Sequence, residues 1–431
     1  MAIGNTNYYR ASAIGMVEWP ALMGRTDAEV CIVGAGFAGL NTALGLAERG
    51  YRGITLLESE RIAHGASGRN GGFVFAGFSR GEAALLRELG PERARRLHRG
   101  TLDAVALIRD RCARYRIACD PTPSGVLWAN WFRDADVLRA RQRLLAEHYG
   151  VHWDWVPQAE LRALLLTRRY GDALREREAM HIHPLNYALG LARAASERGV
   201  AIHERSPALG LTRDGAGWCV RTAGGEVRAR QVVLACGGYL ASLRRRVDAG
   251  VMPIATYVMV TEPLGTRMRE VIRTDAAVYD TRFAFDYYRL LPDTRLLWGG
   301  RISILDRPPD AVKRLLYRDM LKVFPQLDGV RIDYAWSGLM SYARHQMPQI
   351  GEIEPGLWLA QAFGGHGVAP TTFAGELLAA AIAEGDERWR DFADYGLVSA
   401  LKPVGLVGAQ LTYWWQQFRD AWKDWRERAA G

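Results

Sequence analysis

Three closely spaced glycines, Gly34, Gly36 and Gly39, followed nineteen residues later by Glu58, are the residues of this chain best suited to chemistry. The apolar run 30–33 suits a buried parallel strand, and Leu40, Ala43, Leu44 and Ala47 then recur at helical spacing. Strand, glycine turn and helix in that order form the setting that a dinucleotide-binding fingerprint needs. Gly34 permits the tight turn, Gly36 lets the backbone approach a pyrophosphate, and Gly39 lets the helix pack on the strand, with Phe37 and Ala38 at its positive end. Gly50 stops the helix, and the run 54–57 delivers Glu58 to where a carboxylate accepts both ribose hydroxyls and repels a 2'-phosphate. A second cluster, Gly65-Ala-Ser-Gly-Arg-Asn-Gly-Gly72, can continue neither helix nor strand and reads as a loop close to the cofactor. A third, Phe363-Gly-Gly-His-Gly367, follows a strand-like run at 357–361 and precedes a helix expected from about 370 to 384, stopped by Gly385. A helix end aimed there favours a flavin over a nicotinamide, because reduced flavin carries negative charge near N1 and the C2 carbonyl.

The elements that must hold these turns divide into two interrupted domains. At 431 residues the chain exceeds the usual size of one core, and 49% hydrophobic content is ample for two. Helical periodicity covers 91–116 and 134–148, with a strand between them at 125–131. From Gly199 short strands alternate with glycine turns as in a β-meander, and the run Val232-Val-Leu-Ala235 before Gly237 is expected to rejoin the parallel sheet. Residues 255–341 alternate strand-like segments around one helical stretch, 309–323. Five cysteines, Cys31, Cys112, Cys119, Cys219 and Cys236, are odd in number and lack metal-type spacing, so reduced, mostly buried thiols and no metal site are expected. No run is long and apolar enough to span a membrane, and Met1 to Arg10 is too polar for a secretory signal, which leads us to expect a cytoplasmic protein. The net charge of +9 raises nucleic-acid binding, but the arginines are interleaved with glutamates, as in Arg93, Arg95, Arg96 and Arg99 beside Glu88 and Glu92, so solvated helix faces and no nucleic-acid partner are expected.

These motifs, together with Asn7-Tyr-Tyr-Arg-Ala-Ser12, His181-Ile-His-Pro-Leu-Asn186, Thr261-Glu-Pro-Leu264, Tyr287-Tyr-Arg289, Trp298-Gly-Gly-Arg301 and Met347-Pro-Gln-Ile-Gly351, resemble the FAD-dependent D-amino-acid oxidase superfamily. Within it the chain is most similar to the glycine and sarcosine oxidase group and its gamma-glutamylputrescine oxidase-like members. The resemblance implies an α/β fold: a Rossmann-like FAD-binding domain (1–79, 181–241 and 335–400) interleaved with an α+β substrate domain (80–180 and 242–334) on a mixed, mostly antiparallel sheet. It implies FAD as cofactor, held by Gly34, Gly36, Phe37, Ala38, Gly39 and Glu58, by Ser67, Gly68, Arg69, Asn70, Gly71 and Gly72, by Pro207, Ala208 and Gly237, and by Gly364, Gly365, His366, Gly367 and Val368. The implied reaction removes hydride from the carbon beside a neutral amine, followed by imine hydrolysis and reoxidation by O2 to give H2O2. The substrate is an amine or amino acid, including gamma-glutamylated or polyamine-type amines; no strong base is needed if desolvation or a nearby cation keeps the amine unprotonated.

Candidate catalytic residues come from the same resemblance. His366 either polarises the flavin and influences oxygen reactivity or caps loop backbone. Tyr288 and Arg301, with Arg289, lie on strands that would face the pocket, although alternation sends only some of them inward. Arg69 and His64 stand near the cofactor or are merely solvated. Sarcosine-oxidase relatives use a lysine over the flavin to activate oxygen, and no lysine lies between Glu58 and Val312 here, which shifts that role to His366 or an arginine, or the acceptor to something other than oxygen. Finally, Val407, Leu411, Trp414, Phe418, Trp422 and Trp425 recur at steps of three and four in the tail 401–431, flanked by Arg419, Lys423 and Arg426. Such a stripe packs on the protein's own body, joins subunits, or lies on an anionic membrane, where it would let a dehydrogenase pass electrons to quinone.

Overall fold

The computed structural model describes residues 7–429; the first six residues and the last two, which the expected domain limits include, lie outside the described residues. The first sheet runs in the order Gln349–Glu354, Leu357–Gln361, Gly225–Leu234, Gly24–Val33, Ile54–Leu57 and Ala201–His203, with Gly210–Asp214 and Gly217–Arg221 completing an antiparallel meander beside the long third strand. Four of the five pairings in this order are parallel, all but that of Gln349–Glu354 with Leu357–Gln361, and the strand expected to rejoin the sheet does so, Val232–Leu234 pairing with Leu357–Leu359. Parallel pairing needs crossovers, and the helix Phe37–Glu48 supplies the first. Leu40, Leu44 and Leu46 are fully buried there, each worth about 1.5–3 kcal/mol on leaving water. The helix Val368–Glu384, two residues earlier in its start than expected, packs across Phe37–Glu48 through small residues. A Cβ on Gly375 would lie 2.5 Å from that of Asn41.

Both helices follow strands of the same sheet, so both N-termini emerge at the carboxyl ends of its strands, where open α/β sheets bind ligands. The second sheet is mixed, with seven pairings of which only Val126–Ala129 against Ala277–Asp280 is parallel. The helix Pro309–Val323 covers it, burying Val312, Leu316, Met320 and Val323 against Tyr288, Trp298 and Phe324. The expected boundary at 335 falls inside the strand Ile332–Tyr342, which pairs in this second sheet. The helical pattern at 91–116 belongs to a longer element, Glu82–Arg114, broken at Gly90, whose φ of 75° and following Pro91 interrupt the hydrogen-bond ladder.

The tail forms one helix, Val404–Ala429, but its aromatic stripe is not packed on the body: Trp414, Phe418, Trp422 and Trp425 are all more than half exposed. The opposite face docks instead, through Gln410 and Tyr413. All five cysteines are free; the Cys112 and Cys119 sulfurs lie 3.4 Å apart without a disulfide. Among the described residues no helix is long and apolar enough to cross a membrane, and no His/Cys/Asp/Glu group is arranged to hold a metal ion.

Candidate active site

The first glycine turn is fixed by backbone crowding. Gly34 has φ 107°, a conformation that L side chains rarely adopt, and a Cβ there would meet the Ala235 carbonyl at 2.7 Å. A Cβ on Gly39 would lie 1.9 Å from the Gly34 oxygen, so the helix can start against its own turn only with glycine at that position. Ser67 Oγ, from the second glycine loop, accepts the Phe37 N–H at 2.9 Å, tying the two loops together. Glu58 accepts from the Ala35 N–H at 2.8 Å and the Glu60 N–H at 3.0 Å; burial raises its pKa while these donors oppose the rise.

A single cavity of about 1840 Å³ runs from this turn into the second sheet. That exceeds the roughly 300–1,000 Å³ of common small-molecule sites, leaving room for an extended dinucleotide and a substrate together. Gly34, Gly36, Phe37, Ala38, Glu58, Pro207, Ala208 and Gly237 line one end, and Ser67, Arg69, Asn70, Gly71, Gly364, Gly365, His366, Gly367, Val368 and His64 line the middle. The helices Phe37–Glu48 and Val368–Glu384 both begin on this wall from glycine N-caps that offer no capping side chain. Two positive helix ends on one cavity, one with its Phe37 N–H already held by Ser67, suit a bound pyrophosphate and an electron-rich flavin ring, so the residues present fit FAD.

Several expected contacts stand elsewhere. Gly39, Gly68 and Gly72 do not line the cavity; they allow close packing, Gly68 against the Ala63 carbonyl and Gly72 against that of Ile182. Tyr288 is a correction: it is fully buried, stacked on Trp298 with ring centroids 4.6 Å apart in the core of the second sheet, and takes no part in the cavity. Strand alternation explains the error, since Tyr287 next to it does line the cavity, pressing on Gly71. Arg289 is also buried, donating to the Gly71 and Ile182 carbonyls at 2.7 and 2.9 Å and to Tyr9 Oη at 3.3 Å, so it clamps the second glycine loop. Arg301 reaches the cavity, but its guanidinium is paired with Asp319 through two bonds of 2.7 and 2.8 Å. His366 lines the cavity, edge-on to Phe75 at 4.8 Å. Burial, with Arg141 adding to it, lowers its pKa to about 4, so the imidazole is neutral at pH 7.

Beyond His366 the cavity ends in a chamber that sequence reading missed. Glu82 and Arg141 pair at 2.7 Å, and the Arg141 guanidinium lies 4.7 and 4.6 Å from the ring centroids of Trp128 and Trp153. Phe75, Tyr279 and Trp128 stack in series along the wall, at 5.6 and 6.3 Å. Burial pushes the Glu82 pKa up, but Arg141, with backbone and His98 contributions, holds it down to about 2; Arg141 is raised in return. Behind them Glu176 accepts from the Ala76 N–H at 3.3 Å, while its Oε2 is buried without a hydrogen-bond partner among the described residues. Burial raises Glu176 to about 7 against the pull of the Ala76 N–H and Arg141. These side chains come from separate segments: Trp128 falls in the strand expected at 125–131 and Arg141 in the helical stretch expected at 134–148, whereas Glu82 precedes the helical pattern at 91–116 and nothing in its local sequence marks it.

Comparison with known proteins agrees with this geometry. Residues 29–381 match the DAO family, described as FAD dependent oxidoreductase. The chain is 35% identical over 391 residues to gamma-glutamylputrescine oxidoreductase of Escherichia coli, covering 90% of this chain and 91% of that one. It is 34% identical to the probable oxidoreductase OrdL of Haemophilus influenzae over 89% of each. Among solved structures, glycine oxidase from Geobacillus kaustophilus superposes with a TM-score of 0.73 at 22% identity, over 86% of this chain and 99% of that one. With two glycine turns and a fitting cavity on the same wall, the chain belongs to the FAD dependent oxidoreductase family, whose members act on amines and amino acids.

Proposed function

We propose that the protein oxidises the C–N bond of a primary or secondary amine that carries a second charged group, with gamma-glutamylated or polyamine-type amines as the substrate class. The observation that carries this reading is the chamber beyond His366, lined by Glu82, Arg141, Trp128 and Tyr279, with the buried Glu176 carboxyl close behind the Glu82–Arg141 pair. Glycine-sized substrates have no use for it. A distal ammonium fits against aromatic faces backed by carboxylates, and Glu176 supplies negative charge when it ionises. The similarity to gamma-glutamylputrescine oxidoreductase over 90% of the chain supports the same class.

Bound FAD supplies the two-electron acceptor. It would be held by Gly34, Gly36, Phe37, Ala38 and Glu58 at its nucleotide end and by the loops Ser67 to Gly71 and Gly364 to Val368 at its ring end. The chain's own residues exclude water with Phe75 and Tyr287, and desolvation by these apolar walls keeps the reacting nitrogen unprotonated. Neutral His366 offers a hydrogen bond without charge. We propose O2 as acceptor, giving H2O2; a membrane electron carrier is the second reading, favoured by the exposed aromatic helix that rims the cavity. No lysine lines the cavity among the described residues, so the oxidase reading gives His366 or an arginine the part a lysine plays in sarcosine-oxidase relatives.

Steady-state oxidation of a gamma-glutamylated diamine, the free diamine, glycine and sarcosine, with peroxide and artificial-acceptor reduction measured in parallel, tests both points. The expected order is conjugated diamine, then free diamine, with glycine and sarcosine far behind. Preference for glycine or sarcosine would refute the substrate class, and acceptor reduction without peroxide would replace the oxidase by the dehydrogenase.

A further inference from the structure

We propose that the helix Val404–Ala429 seats the protein on an anionic lipid bilayer, lying flat in the interface. The helix is fixed along most of its length by its polar face. Gln410 Oε1 accepts the Ile304 N–H at 3.0 Å, Tyr413 Oη the Ile302 N–H at 3.1 Å, Asp420 the Phe283 N–H at 2.8 Å and Glu427 the Arg133 N–H at 2.6 Å, and Asp424 pairs with Arg169 at 2.7 Å. These anchors hold the apolar stripe outward, with Trp415, Phe418 and Trp422 at 59%, 58% and 51% exposure. Their rings follow one another at 5.9 and 6.5 Å, and Trp425 continues the row 5.1 Å beyond Trp422. From Val404 to Trp425 the exposed apolar side chains of the helix run roughly 32 Å, a continuous band rather than the scattered apolar residues of an ordinary surface.

Charge selects the occupant. The three acidic residues described on this helix, Asp420, Asp424 and Glu427, are engaged with the body, whereas the exposed positions carry Arg419 and Arg426 and, among the described residues, no carboxylate. Two copies of this face brought together would oppose arginine to arginine with no acid on the face to relieve it. An anionic headgroup layer pairs with both arginines while the tryptophan rings settle at the boundary between headgroups and acyl chains. Exposed Phe283, against Tyr413 at 6.3 Å, and Leu305 widen the band beyond the helix. The same helix lends Gly405, Ala409 and Tyr413 to the cavity wall, so the contact would set the mouth of the cavity beside the lipid surface.

The test is co-sedimentation of the full-length holoprotein with vesicles of phosphatidylcholine alone or mixed with phosphatidylglycerol, with tryptophan emission recorded in parallel. Binding to the mixed vesicles with a blue shift is expected. The double variant Arg419→Gln/Arg426→Gln should weaken it by roughly thirtyfold, at about fivefold per arginine neutralised. The triple variant Trp415→Ser/Phe418→Ser/Trp422→Ser should abolish both signals. These side chains face away from the body, so circular dichroism and the thermal transition of the variants should match the parent. Absence of binding to either vesicle, equal binding to both, or a concentration-dependent dimer that the triple variant dissociates would each overturn the proposal.

Discussion

The two ends of the cavity are built on opposite principles. At the nucleotide end the work is done by backbone: Gly34 and Gly39 let a helix begin against its own strand, and the N–H groups of that helix face the cavity. At the chamber end it is done by side chains from distant segments, Glu82, Trp128, Arg141 and Tyr279, held in place by stacking and one ion pair. At the first end an added Cβ on Gly34 or Gly39 would meet backbone, while the second is organised around the charges of Glu82 and Arg141. A methyl group should therefore break the glycine end, whereas the chamber should be broken by removing a carboxylate.

The largest effect is expected from Gly39→Ala, whose Cβ would sit 1.9 Å from the Gly34 carbonyl oxygen. The helix start must move, and the purified variant should lose bound flavin or fail to fold; flavin absorbance per protein reads the result. Next is Arg289→Met, which leaves the Gly71 and Ile182 carbonyls without their donor. A loss of roughly 3 kcal/mol in chemical denaturation is expected, together with weaker flavin retention. Glu82→Gln breaks the pair with Arg141 inside the chamber, and should raise KM for conjugated amines more than for small ones while the flavin stays bound.

Glu176 gives a pH-dependent contrast. Its carboxyl is raised to about 7 by burial, so the folded state holds a proton that the unfolded chain releases near the ordinary carboxyl range. Its contribution to stability is present below that range and is lost as pH rises toward 7, by roughly 3 kcal/mol across the window. Glu176→Gln should therefore be more favourable relative to the parent at pH 8 than at pH 5, read as the difference in thermal midpoints. The smallest effect belongs to Tyr288→Phe: with Tyr288 in the core of the second sheet, turnover should be unchanged and stability altered by no more than about 1 kcal/mol.

The same contrast decided what was legible in the sequence. The glycine turns could be read because their chemistry lies in local spacing, and the strands and helices around them appear within a few residues of where periodicity put them, as at Ile54–Leu57 and Pro309–Val323. Tyr288 was misplaced because alternation gives two phases, and only the pairing of Asp286–Leu290 in its sheet decides which faces inward. The tail was legible as a helix with an apolar face, but periodicity says nothing about whether that face turns to the body; the acids Asp420, Asp424 and Glu427 on the other face held the answer. Glu82 and Arg141 carried no local signal at all, since lone charges become a site only when folding brings 82 and 141 to one chamber, with Glu176 buried close behind them.

The most direct measurement is anaerobic titration of the purified protein with a gamma-glutamylated diamine while the visible absorbance of its bound flavin is followed, after the cofactor has been released from a sample and identified by mass. FAD in the sample and bleaching on stoichiometric addition of amine are predicted. Protein that is colourless and takes up no added FAD, or flavin that stays oxidised with every amine of a broad panel, would contradict the account.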